Sequence, residues 1–198
     1  MSATGYALDP RDAADLLAEL PQVEQERLLA LMEPEESAPV RRLLEYSYDT
    51  AGGLMTPEPV VLAPDSTVAE ALAHVRNPDL TPALASMVFV CRPPTATPTG
   101  RYLGSVHIQR LLREPPSGLV AGVLDTDLAT LSPTASLSDV TRYFAAYNLV
   151  CGPVVDESDH LLGAVTVDDA LDHLLPSGWR DDGIWEPHGP IEGEVPDA

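Results

Sequence analysis

The residues with the clearest chemical potential lie near the end of the sequence. Thr166 and Asp169 form a T-x-x-D step, and Asp168 and Asp172 add two further carboxylates close by. A hydroxyl three residues before a carboxylate is a common capping arrangement at the start of a helix, worth about 1 kcal/mol without any ligand. Grouped carboxylates are also the ligands that hard cations such as Mg²⁺ prefer. The pattern therefore indicates either a helix cap or a small binding site.

The sequence lacks the motifs of common enzyme classes. It contains no G-x-S-x-G, P-loop, G-x-G-x-x-G or H-E-x-x-H pattern, and its histidines do not form a pair at helical ligand spacing. Cys91 and Cys151 each lie singly in an apolar run, which predicts two reduced thiols in the core. We therefore expect a protein without enzymatic activity.

The charge of the chain restricts its partners. The 198 residues include 11 Lys and Arg against 31 Asp and Glu, a formal net charge of -20. Such a surface repels nucleic acids and anionic membranes, which are bound by clustered positive charge. Apolar runs fall well short of the roughly 20 residues that a membrane span needs, and the first residues do not resemble a secretory signal. We expect a cytoplasmic protein that neither binds nucleic acid nor inserts into a membrane.

A helical layer is predicted for residues 8–50. Its three short amphipathic helices are separated at Pro21 and Pro34, and the first carries an apolar stripe at Ala13, Leu16, Leu17 and Leu20. Four acidic residues of this first helix either face the following domain or form a solvated helix face: Asp9, Asp12, Asp15 and Glu19. Helices this short require another layer to pack against.

An internal repeat follows the helical layer. A β-α-β-β-α order is predicted for residues 51–116 and again for residues 117–176, which makes the fold α+β. Capping boxes begin the first helix of each repeat, Thr67 with Glu70 and Ser136 with Asp139. Each repeat is expected to form a three-stranded sheet, with residues 128–131 as the first strand of the second repeat. Gly104 in the first repeat corresponds to Gly163 in the second.

The two repeats are too small to fold separately, so their sheets are expected to pack against each other. Beyond them, residues 177–198 are acidic and rich in Gly and Pro, which predicts a disordered tail. Trp179 and Trp185 are the exceptions in this tail and would suit a neighbouring surface.

The tandem repeat resembles a pair of CBS domains. The resemblance lies in GPVVD at residues 152–156 and in LGAVTVDD at residues 162–169. Ahead of the pair, AGGLMTPE at residues 51–58 and DAADLLAEL at residues 12–20 resemble the cytosolic region of the MgtE family of magnesium transporters. The membrane domain of that family has no counterpart in this sequence. The resemblance therefore implies either the cytosolic part of a transporter or a free-standing relative.

The resemblance to CBS pairs implies an adenine nucleotide (ATP, ADP or AMP) at the T-x-x-D step. Asp169 would accept the ribose hydroxyls and Thr166 would lie at the phosphate, while an apolar slot would hold the adenine between Leu149, Val150 and Pro153. The first repeat has His107 and Arg110 at the equivalent positions. Because the hydroxyl and the carboxylate are both missing there, the chain would hold one nucleotide site, and we expect His107 to be a strand-end or interface residue.

The resemblance to MgtE implies Mg²⁺ at Asp168, Asp169 and Asp172. Other acidic positions of the family are uncharged here and are occupied by Ser136, Ser138 and Asn148. His173 lies four residues after Asp169, and we expect it to be a cationic partner of the dipole at the end of the helix.

The combined interpretation is a regulatory or sensor module that binds an adenine nucleotide, Mg²⁺ or both, and that forms a homodimer through its CBS helices. Two alternatives stay open. The chain is the cytosolic gating part of a Mg²⁺ transporter, or it is a ligand-free scaffold that binds a protein partner.

Overall fold

The computed structural model describes residues 10–175, so Asp9, Trp179 and Trp185 lie outside the described residues. The helical layer consists of α1 (Pro10–Ala18), α2 (Gln22–Leu29) and α3 (Pro34–Leu43). The breaks before α2 and α3 fall at the prolines that the sequence indicated. α1 packs against α3, and both helices bury apolar residues in one cluster with Leu29: Ala13, Ala14, Leu17, Val40 and Leu43.

A short helix, α4 (Ala51–Leu54), connects this layer to the first repeat. The repeat contains β1 (Val61–Leu62), α5 (Val68–Val75), β2 (Met87–Cys91), β3 (Tyr102–His107) and α6 (Ile108–Leu111). Its sheet has the order β1-β2-β3, with β1 parallel and β3 antiparallel to β2. The capping box of Thr67 and Glu70 begins α5 as predicted.

The second repeat contains α7 (Leu137–Tyr147), β4 (Cys151–Val155), β5 (Leu161–Thr166) and α8 (Val167–Leu174). The capping box of Ser136 and Asp139 is also confirmed. The predicted strand at residues 128–131 is wrong, because only Leu131 pairs, in a single parallel bridge with Val154. Leu131 is buried whereas Thr130 and Ser132 on either side are exposed. Burial of apolar surface therefore favours the bridge at Leu131 but not a longer strand.

Each sheet is extended by a segment that belongs to the other repeat. Thr56 pairs with Ala164 of β5 through two backbone hydrogen bonds of 2.8 and 3.0 Å, and Asp125 pairs with Ser105 of β3. These crossings explain why Gly104 and Gly163 are both glycine. A Cβ at Gly104 would lie 2.7 Å from the carbonyl oxygen of Asp125, and one at Gly163 would collide with the carbonyl oxygen of Thr56.

The two repeats pack together through a buried apolar cluster, as predicted for two sheets that face each other. It is formed by Met87, Phe89, Cys91, Cys151, Val155, Leu161 and Ala164. Both cysteines are free and buried, which confirms the prediction of two core thiols. Burial raises the pKa of the Cys151 thiol to about 12.

The helical layer docks on the second repeat. α1 shares an apolar cluster with α7, α8 and β5, to which the second repeat contributes Val140, Phe144, Val165 and Ala170. This docking brings the start of α1 close to the start of α8. Within residues 10–175, none of the helices is both long and apolar enough to cross a bilayer.

Candidate functional site

The T-x-x-D step lies where β5 ends and α8 begins. Thr166 is the N-cap of α8 and is 2% exposed. Its hydroxyl donates to Oδ2 of Asp169 at 2.5 Å, and its backbone N–H donates to the same oxygen at 3.4 Å. The predicted helix cap is therefore present. It uses one carboxylate oxygen of Asp169 and leaves Oδ1 for another partner.

That partner is an arginine from the helical layer. Nη1 of Arg11 in α1 forms an ion pair with Oδ1 of Asp169, and the two side chains are only 15% and 18% exposed. Nε of Arg11 also lies 4.0 Å from Oδ2 of Asp15, one turn further along α1. Arg11 was not among the site residues expected from the sequence, although it is the one basic residue of α1.

His173 and Tyr48 complete this contact between the layer and α8. Their rings lie 3.9 Å apart between centroids, at 35° to each other. Burial, together with the charge of Arg11, lowers the pKa of His173 below its ordinary value. The expected cationic partner of the helix dipole is therefore wrong, because this environment favours the neutral imidazole.

The acidic residues in α1 and directly after it do not behave as one group. Asp12 and Glu19 are exposed, as expected for a solvated helix face, whereas Asp15 is half-buried beside Arg11. Burial raises the pKa of Asp15, and the charges of Arg11 and His173 oppose this shift only in part. One acid of this helix thus faces the CBS pair.

The predicted adenine slot lies next to the start of α8. Leu149 is partly buried between two apolar clusters, and the carbonyl of Val150 accepts the N–H of Val167 at 2.9 Å. Pro153 is buried in β4 opposite Ala164, while Cys151 is opposite Thr166. Since side chains alternate along a strand, Pro153 and Thr166 share the face of the sheet that points to the first repeat.

The predicted magnesium residues are not assembled into a metal centre. Asp168 is exposed, Asp172 is half-buried, and the carboxylate of Asp169 is occupied by Thr166 and Arg11. Among residues 10–175, no three His, Cys, Asp or Glu side chains are grouped so that they could hold a metal ion. The described residues therefore do not fit a Mg²⁺ site formed by this chain alone.

The equivalent position in the first repeat has a different chemistry. His107 ends β3, as predicted, and caps α6 by accepting the N–H of Gln109 at 3.2 Å. Nε of Arg110 donates to Glu114 at 2.8 Å. Two cavities of about 490 and 250 Å³ border the first repeat, and both are lined by Glu58, Pro59, Val61 and Thr95. The smaller one is also lined by Pro39 and Arg42 of the helical layer, and the T-x-x-D residues line neither cavity.

Two known protein families match this chain. The family described as CBS domain matches residues 51–117 and 120–176, and the family described as MgtE intracellular N domain matches residues 5–49. The chain therefore belongs to the CBS-domain proteins. In particular, it is a homologue of the cytosolic region of MgtE magnesium transporters, as the resemblance in the sequence implied.

Two curated relatives are magnesium transporters named MgtE. That of Thermus thermophilus is 33% identical over 156 residues, which cover 79% of this chain and 34% of the relative. That of Enterococcus faecalis is 29% identical over 138 residues, which cover 70% of this chain and 29% of the relative. The chain thus spans about a third of the length of these relatives.

Two solved structures share the fold. The cytosolic domain of the Mg²⁺ channel MgtE in complex with ATP is 33% identical, with a TM-score of 0.72, over 84% of this chain and 66% of that one. The soluble part of a magnesium transporter is 28% identical, with a TM-score of 0.73, over 84% of this chain and 63% of that one. These similarities confirm the α+β fold.

Proposed function

We propose that this chain is a non-enzymatic regulatory module that binds one adenine nucleotide at the start of α8. The observation that carries the proposal is the pairing of a homologous domain solved with ATP and a T-x-x-D step at the β5–α8 junction of this chain. The module acts in the cytoplasm and reports the nucleotide through the packing of its helical layer.

Each part of the site has a defined role in this proposal. The positive end of the α8 dipole attracts the phosphate, next to the Thr166 hydroxyl. Oδ1 of Asp169 is the oxygen that accepts a ribose hydroxyl, because Oδ2 is held by Thr166. The adenine lies against Leu149, Val150 and Pro153. In this arrangement the protein binds and orients the nucleotide without reacting with it.

Mg²⁺ is a second candidate ligand with less support from the geometry. With a formal charge of -20, the protein attracts divalent cations to its surface. Asp168, Asp169 and Asp172 then contribute to a weak, screened attraction. The role of the chain as a gating part of a Mg²⁺ transporter stays a proposal, as does that of a ligand-free scaffold.

The homodimer is also a proposal, and exposed leucines of α8 support it. Leu171 and Leu174 are 52% and 53% exposed, and Leu174 borders a groove of about 480 Å³ with residues of α7. A second copy of the chain that places its own CBS helices on this surface would remove these side chains from water.

The test is calorimetry with ATP, ADP and AMP on the intact chain and on Asp169→Ala. We expect one site in the intact chain and no measurable binding in the variant. Asp139→Ala is a matched control, because Asp139 forms the same capping box with Ser136 and lies at the start of a different helix. Equal titrations of Asp169→Ala and the intact chain would exclude Asp169 from the site. A lack of binding by the intact chain would refute the proposal.

A further inference from the structure

The ion pair between Arg11 and Asp169 joins the helical layer to the carboxylate assigned to the ribose. We propose that Arg11 competes with the nucleotide for this carboxylate, so that docking of α1 on α8 and nucleotide binding oppose each other. The inference rests on the proposed function, which it extends from a binding site to a form of regulation.

The geometry of the carboxylate leaves little room for both partners. Oδ2 receives the hydroxyl and N–H of Thr166, and Oδ1 receives Nη1 of Arg11. Both charged side chains are more than four-fifths buried, so their attraction is less weakened by water and salt than that of a surface pair. A ribose hydroxyl is a neutral donor and forms a weaker hydrogen bond than a guanidinium does. A nucleotide therefore gains Oδ1 only when Arg11 withdraws.

The rest of the α1 interface is suited to release. Its apolar part consists of Ala13, Ala14 and Leu17, which are mostly small side chains. Asp15 in the same helix is partly desolvated, which offsets part of the apolar gain. α1 packs against α3, so the layer can separate from α8 while α1 keeps a partner within the layer. Arg11 thus supplies the ion pair in the contact that holds α1 on α8.

The coupling is reciprocal because it is an equilibrium property. If docking of α1 weakens nucleotide binding by some factor, nucleotide binding weakens the docking of α1 by the same factor. The nucleotide would therefore loosen the helical layer, and a partner that pulled the layer away would raise nucleotide affinity.

The experiment compares Arg11→Gln with Arg41→Gln in the intact chain. Arg41 pairs with Glu26 at 2.7 Å inside the helical layer, so its loss removes an ion pair away from Asp169. Calorimetry with ATP and AMP measures affinity, and hydrogen–deuterium exchange measures the protection of α1. We expect Arg11→Gln to bind about fivefold more tightly or better, within the usual range of allosteric couplings, and Arg41→Gln to bind like the intact chain.

Hydrogen exchange gives the second readout. The nucleotide should speed exchange in α1 of the intact chain, and in Arg11→Gln this exchange should already be fast without nucleotide. Arg11→Lys keeps the charge but cannot reproduce the planar guanidinium, so its nucleotide affinity should lie between that of the intact chain and that of Arg11→Gln.

Three results would overturn the inference, and they differ in what else they exclude. Equal affinity in Arg11→Gln and the intact chain, with α1 exchange unchanged by nucleotide, would refute the competition but leave the nucleotide site in place. Weaker binding by Arg11→Gln would show that Arg11 assists the nucleotide. If no variant binds ATP or AMP, both the competition and the proposed function are refuted.

Discussion

Gly163→Ala perturbs the crossing between the two repeats. The added methyl group would collide with the carbonyl oxygen of Thr56 and would lie 3.0 Å from the Met55 sulfur. Thr56 pairs with Ala164 through two backbone hydrogen bonds, and this pairing carries the start of the first repeat across to the sheet that ends at Thr166. The variant thus tests whether the repeats fold as one unit.

The size of the effect follows from the two ways in which the chain can respond. If the Thr56 segment moves away, two backbone hydrogen bonds are lost, at a cost of about 1–3 kcal/mol in total. If the segment stays, overpacking costs about 1–3 kcal/mol. Either response lowers the melting temperature by about 2–12 °C for a chain of this length.

Urea denaturation and thermal melting followed by circular dichroism measure this loss. Gly122→Ala is the matched control, because a Cβ at Gly122 has nothing within 4 Å. The control should change stability by less than about 1 kcal/mol, and a small gain is compatible with the lower chain entropy of alanine. If Gly163→Ala is as stable as the intact chain, or if both variants lose the same amount of stability, the backbone crossing is not the reason for glycine at this position.

Three further predictions concern the contact between the helical layer and α8. His173 has a lowered pKa, so lowering the pH from about 7 to 5 protonates the unfolded chain first and destabilises the fold. His173→Gln should lose less melting temperature over this range, and an equal loss would contradict the assignment. Asp15 has a raised pKa, so its ionised form is disfavoured in the fold. Asp15→Asn should therefore melt at a higher temperature than the intact chain at neutral pH, and this difference should disappear at a pH below the ordinary pKa of Asp. A lower melting temperature of the variant at neutral pH would refute this. Arg11→Gln leaves Asp15 and Asp169 without this cation, so MgCl₂ should raise its melting temperature more than that of the intact chain at matched ionic strength, and equal shifts would contradict this role of Arg11.

Features that depend on neighbouring residues could be predicted from the sequence. The capping boxes of Thr67, Ser136 and Thr166 are local, because the hydroxyl and its carboxylate partner lie on the same helical turn. The helix starts at Pro21 and Pro34 are local for the same reason, since proline is favoured at the beginning of a helix, where its missing N–H is not required. These signals were sufficient to place the T-x-x-D step at the start of a helix.

Features that depend on distant segments could not be read in this way. The sequence showed that Gly104 and Gly163 occupy equivalent positions in the two repeats. The reason for both glycines is a backbone crossing, by Asp125 at Gly104 and by Thr56 at Gly163. The ion pair of Arg11 with Asp169 joins residues at opposite ends of the described chain. Only the docking of α1 on the second repeat brings these charges together, and the same docking buries His173 against Tyr48.

The most direct test of the nucleotide site is a calorimetric titration of the intact chain with ATP in the absence of Mg²⁺, with Asp139→Ala titrated in parallel. We expect one bound nucleotide per chain in both proteins. An absence of binding heat at several temperatures, together with a melting temperature that ATP does not change, would contradict it.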